Sequence, residues 1–248
     1  MQQCMKSVWL VCAVGALGGL LFGLDQGFIA NSLATIQNVY HLDLKQEQAY
    51  SAALAWGAIV GVVISGFMVR ALGRKTVIVL SGLLFFIMSS ISATLPPLKM
   101  LVFAREGIGF AVGMASFAVP LYLAETAPTK LRGSMAALFQ LMVTIGILFV
   151  SISNLSINKL FGHLPIALTL MYSVITIFSF IMLVGAFYLP ESPRWFILKN
   201  REQNARDVLR QMNFSKQDID LEIDEINQNL SKKTGLFFKH LTKLCYWK

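Results

Sequence analysis

Charge is scarce in this chain. Only 14% of its 248 residues are Asp, Glu, Lys or Arg, where soluble domains carry about a quarter. Hydrophobic residues make up 56% and the mean hydropathy is +0.64, which argues for a membrane protein with the lipid bilayer as its surroundings. The net charge of +8 does not point to nucleic acid. The basic residues punctuate apolar runs and form no basic face with interleaved aromatics, so nucleic acid is excluded as a partner. Cysteine is also rare. Cys4, Cys12 and Cys245 fit no metal-ligand spacing and read as unpaired thiols. The three histidines are scattered, and no nucleophile motif or phosphate loop occurs. These gaps predict no metal, no cofactor and no enzyme activity.

What the chain has is long apolar runs. Six are visible, at about 8–30, 51–69, 77–95, 101–123, 138–157 and 167–189. Each supplies the roughly twenty residues a helix needs to cross about 30 Å of hydrocarbon, and none alternates with the period of a barrel strand. Lys6 precedes the first run, as in a signal peptide, but the run is longer than an ordinary signal core and no clear cleavage site follows. It is expected to be an uncleaved first span.

Lys and Arg between the runs set the orientation. The second-to-third connection holds Arg70, Arg74 and Lys75, and the fourth-to-fifth holds Lys130 and Arg132, whereas the other three hold one lysine each. The richer connections face the cytoplasm, which places both termini inside a plasma or inner membrane. After Pro190 the chain turns polar, with eleven Lys/Arg and eight Asp/Glu. Ile219, Ile223, Ile226 and Leu230 recur there on one helical face, and residues 199–212 also favour helix. Two or three short amphipathic helices are expected on the cytoplasmic side.

Inside the first run, Gly15, Gly19, Gly23 and Gly27 form a ridge that lets another helix approach closely. Asp25 falls roughly opposite, beside Phe22 and Gly18, on a face that could look into a cavity. An acid at a helix centre costs about 2.5–3.5 kcal/mol on insertion scales, which marks it as functional with a partner to be named. Arg105 in the fourth run is that candidate. Counted from the run ends, both residues lie about 6–8 Å below the outer boundary. Snorkelling of either charge to the outer surface is the alternative, and Glu106 is a competing partner for Arg105. Gly57 and Gly61 in the second run and Gly109 and Gly113 in the fourth repeat the four-residue spacing. Gln140 and Thr144 share one face of the fifth span, suited either to a polyhydroxylated ligand or to contacts between helices.

Several strings then occur in order: GGLLFGLDQG at 18–27, GRK at 73–75, the stretch 104–133 with its P-x-Y-x-x-E-x-x-P-x-x-x-R-G pattern, Gln140 with Gly146, and PESPRW at 190–195. Together they resemble the N-terminal half of a sugar porter of the major facilitator superfamily. The resemblance implies an all-α membrane protein whose six transmembrane helices form one half of a major facilitator fold, plus short cytoplasmic amphipathic helices. Residues 1–190 would be the bundle, and 191–248 the linker helices, ending before a seventh span. A second six-helix half would complete the transporter, with sugar bound between the halves and released by alternating access.

The resemblance also implies site residues. Asp25 would take the proton and pair with Arg105. Phe22 and Gln140 would contact sugar, with Thr144 beside Gln140. Arg70, Gly73, Arg74, Lys75, Glu125, Arg132, Glu191 and Arg194 would belong to the cytoplasmic gating network. This sequence departs from the family pattern at Arg70, where an acid is usual, and at Leu24 and Gln26, where Tyr and Thr are common. The expected function is proton-coupled sugar transport as half of a transporter. An uncoupled sugar facilitator and a truncated, non-transporting membrane protein are the other readings.

Overall fold

The computed structural model describes residues 2–126, 132–162, 164–212 and parts of 219–227, with side chains from Val11 onward except that of Arg132. Leu230, Lys130 and Cys245 therefore fall outside the described residues, as does the Arg132 side chain. The described chain forms α1 (Gln2–Tyr40), α2 (Leu44–Leu72), α3 (Arg74–Ala93), α4 (Leu98–Thr126), α5 (Arg132–Phe161), α6 (Pro165–Phe187), α7 (Pro193–Leu198) and α8 (Glu202–Gln211). The first six are long and apolar enough to cross a membrane, and the chain is a multi-pass membrane protein.

The helices outrun the apolar stretches that announce them. Helix α1 continues ten residues past Ala30 to Tyr40. Helix α2 begins at Leu44, where the Gln46 side chain accepts a hydrogen bond from the Asp43 backbone N–H at 3.1 Å. That is half of a capping box, and it starts the helix before the hydrophobic run does. Between α2 and α3, Gly73 has φ 98°. A side chain there would be strained, so glycine fixes the tight turn that puts Arg74 at the start of α3.

The chain divides into two compact units, Val8–Pro190 and a second made of Met1–Ser7 with Glu191–Lys248. In the first, α1 and α4 are central, with 61% of the apolar stretch of each buried, while α2 and α5 are peripheral, with 22%. Glycine sets how closely they pack. A Cβ at Gly57 or Gly61 of α2 would run into the α4 carbonyls of Glu106 and Phe110. One at Gly109 or Gly113 of α4 would meet the α2 carbonyls of Leu54 and Ala58. The two backbones therefore interlock, each supplying the gaps for the other. The ridge on α1 works the same way: Gly19, Gly23 and Gly27 lie against α5, and Gly15 lies against Leu123 of α4.

In the second unit, Ile219, Ile223 and Ile226 are buried with Ile197, Ala205 and Leu209. Arg206 bridges Asp220 at 2.6 Å and Glu202 at 2.9 Å. Those two carboxylates push the exposed guanidinium further above its ordinary pKa, Asp220 first.

Candidate functional site

The site is built where the two central helices meet. Asp25 of α1 is 0% exposed and Arg105 of α4 1%, and Arg105 Nη1 donates to Asp25 Oδ1. Depth measured from helix ends does not explain the contact. Asp25 sits near the middle of α1, while Arg105 lies about two turns into α4. Helix α1 runs farther than its apolar stretch, and its terminal Tyr40 hydroxyl donates to the Pro96 carbonyl in the α3–α4 turn at 2.9 Å. Neither charge snorkels, and Asp25 faces packed protein rather than an open cavity.

The pair is incompletely satisfied. Asp25 Oδ2, Arg105 Nε and Arg105 Nη2 are buried with no hydrogen-bond partner. Buried polar atoms are normally paired, so a single bond holding two charges is a loose arrangement. Aromatic side chains surround it. The guanidinium carbon lies 5.7 Å from the Phe28 ring centre and 5.8 Å from that of Tyr50. Phe28 packs at 4.6 Å on Tyr172, whose hydroxyl is bonded to that of Tyr50. Glu106, one residue on, points away from the pair and is exposed.

The substrate candidates are not gathered at one place. Phe22 lines a void of about 10 Å³ with residues of α1, α3, α4 and α6 and none of α5. That volume is about one water and no sugar. Gln140 and Thr144 are exposed on α5, where Thr144 Oγ1 donates to the Gln140 backbone carbonyl at 3.3 Å.

Of the gating candidates, the structure joins Arg74 with Glu125. Arg74 Nε donates to Oε2 at 2.7 Å and Nη2 to Oε1 at 2.8 Å, while Nη1 reaches the Val69 carbonyl at 3.3 Å. Arg70 is exposed near the end of α2, and Lys75 is half-buried in the first turn of α3. The Tyr122 hydroxyl, from the same motif as Glu125, donates to the Pro190 carbonyl at 2.8 Å. In the second unit Glu191 accepts from the Ser192 N–H at 2.9 Å, and Arg194 is half-buried.

Sequence reasoning missed the aromatic surround and a polar seam between α1 and α5. In that seam Asn31 donates to Ser151 at 3.0 Å and Thr35 to Asn158 at 3.4 Å. Asn154, fully buried, lies between Ser151 and Asn158 along α5. The spacing 151, 154, 158 is a helical stripe that could have revealed it. Among the described residues no His, Cys, Asp and Glu gather as a metal centre would.

Comparison with known proteins follows the same lines. The family of sugar (and other) transporters matches residues 11–247. The galactose–proton symporter of Escherichia coli K12 is 40% identical over 225 residues, 91% of this chain and 47% of that protein. The glucose transporter GlcP of Staphylococcus epidermidis is 37% identical over 220 residues, covering 89% and 48%. The D-xylose transporter of Levilactobacillus brevis is 36% identical over 230 residues, covering 92% and 50%. The chain thus spans about half the length of the curated relatives it matches. In fold it is similar to the major facilitator proton:xylose symporter XylE, with a TM-score of 0.84 over 94% of this chain and 55% of that one, at 24% identity. The sequence motifs, the six spans and these matches agree: the chain has the fold of one half of a major facilitator protein and belongs to the family of sugar (and other) transporters, a family of membrane transporters rather than enzymes.

Proposed function

We propose that this chain is the N-terminal half of a proton-coupled sugar transporter, with Asp25 as the proton acceptor and Arg105 as its partner. The observation that carries the reading is the buried, singly bonded ion pair between α1 and α4, which leaves one carboxylate oxygen and two guanidinium nitrogens unpartnered. A carboxylate held by one bond can accept a proton and release its partner, which a fully bonded one resists. The relative in Escherichia coli described as a galactose–proton symporter supports the same assignment.

A second six-helix half would cover the apolar faces of α2 and α5, where Trp56, Phe67, Leu148 and Ile152 are exposed. Gln140 and Thr144 on α5 would then line the space between the halves and hydrogen-bond the sugar, while Phe22 would border it after the bundle shifts. Residues 1–190 would act as one rocking body and 191–248 as the linker. Arg74 and Glu125, with Arg70, Gly73, Lys75, Arg132, Glu191 and Arg194, would hold the cytoplasmic side of the halves together. Both termini would be cytoplasmic, in a plasma or inner membrane.

The test is uptake into proteoliposomes by the transporter these residues form with a second half. An inward proton gradient should drive galactose, xylose or glucose above equilibrium. Equilibration without accumulation would instead identify an uncoupled facilitator, and no uptake at all would favour a non-transporting protein.

A further inference from the structure

While both are ionised, Asp25 and Arg105 carry no net charge together. A proton on Asp25 leaves one positive charge in a part of the bundle where both side chains are 1% exposed. A buried ion stripped of its partner is strongly unfavourable, so the guanidinium needs either a route to water or something else to rest on.

The bundle supplies a resting place. The Phe28 and Tyr50 rings both lie within the roughly 6 Å over which a cation is attracted to an aromatic face. They come from α1 and α2, and that attraction is strongest when water is excluded. Phe28 and Tyr50 are 0% exposed and Tyr172 1%. Tyr172, from α6, packs on Phe28 and hydrogen-bonds the Tyr50 hydroxyl, so one side chain fixes both rings. The ionisable groups around Arg105 are Asp25 of α1, Tyr50 of α2 and Tyr172 of α6, and only the carboxylate is an anion.

We propose that Phe28 and Tyr50, locked in place by Tyr172, form an aromatic seat that retains Arg105 when Asp25 is protonated. Protonation then unfastens α1 from α4 without driving a charge out of the bundle. Tyr50 and Phe28 are positioning residues for the cation, and Tyr172 acts through them. The inference rests on the reading of Asp25 as the proton acceptor.

The experiment uses the chain in lipid nanodiscs and needs no transport. Asp25→Asn imitates the protonated acid. The thermal unfolding midpoint is measured for Tyr50→Leu and Tyr50→Phe, each in the native and the Asp25→Asn background. If the rings hold the cation, Tyr50→Leu lowers the midpoint about twice as far in the Asn background as in the native one, because the carboxylate no longer shares the load. Tyr50→Phe keeps the ring but removes its hydroxyl bond to Tyr172, so it lowers the midpoint by a similar amount in both backgrounds. Ultraviolet absorption adds a spectroscopic readout: Asp25→Asn perturbs the tyrosine band as the cation settles on the ring, and Tyr50→Phe removes that change.

Should Tyr50→Leu alone fail to fold, the same cycle is run with Phe28→Leu. Equal midpoint losses for Tyr50→Leu in the two backgrounds would overturn the proposal, as would a Tyr50→Phe loss that grows in the Asn background as much as the Leu loss does. Absence of proton-driven uptake sinks the coupling and leaves these cycles readable. Additive cycles sink the seat and leave the coupling standing.

Discussion

Two buried arginine–carboxylate pairs sit in the same bundle and are built differently. Arg74 grips Glu125 with two parallel bonds and spends a third on the Val69 carbonyl. Arg105 holds Asp25 by one, and three polar atoms of that pair have no partner. Burial does not separate them, since side-chain exposure is 6% and 4% in the first pair and 1% and 1% in the second. The difference lies in saturation. A bidentate pair is strong and fixes geometry, whereas a singly bonded one holds its charges with less to lose on parting. The first pair resembles a rivet and the second a catch.

The largest effect should come from Arg105→Leu, which leaves a buried acid unpaired and costs about 3–5 kcal/mol. Asp25→Leu in the same chain should restore most of that, as replacement of a buried pair by apolar side chains usually does. Unfolding in nanodiscs checks both. Glu125→Gln removes the charge behind the saturated pair and is expected to cost about 2–3 kcal/mol. A smaller loss there would erase the distinction between the two pairs.

Gly109→Ala pushes α2 away from α4 one turn beyond Arg105, where a Cβ would meet the Leu54 carbonyl. Overpacking of this kind costs about 1–3 kcal/mol, and it should loosen Tyr50 from Arg105 while sparing Arg74 and Glu125. Asp25→Asn should cost only about 1–2 kcal/mol, less than Arg105→Leu, because the rings still hold the cation. Thr144→Val, on the exposed face of α5, should stay within about 0.5 kcal/mol while weakening sugar uptake by the complete transporter.

The contrast also marks what the sequence could reveal. Six spans were legible because apolar runs of the right length have few other uses. The close-packed glycines were legible because their spacing matches the helix repeat. Asp25 and Arg105 stood out as charges in apolar runs, but the depth argument joining them used run ends that are not helix ends. Helix α1 continues through Asn31, Thr35 and Asn38, polar residues that carry no hydropathy signal yet bond neighbouring helices or face out. The Asp43–Gln46 cap starts α2 before its hydrophobic run, in a polar stretch that hydropathy does not mark.

Nothing in the sequence could assemble Phe28, Tyr50 and Tyr172. They lie on three different helices and read separately as ordinary apolar or boundary residues. Their meeting around Arg105 depends on how α1, α2, α4 and α6 pack. The small void beside Phe22 has the same origin, since a lining drawn from four helices has no local pattern.

The most direct test compares accumulation with exchange in the complete transporter carrying Asp25→Asn. Sugar is first offered with an inward proton gradient, then with labelled sugar outside and unlabelled sugar inside at equal concentration. The account predicts that uphill accumulation is lost while exchange persists, because the catch is permanently open but the bundle still moves. Accumulation by the Asn variant would show that the proton is carried elsewhere and would contradict the account.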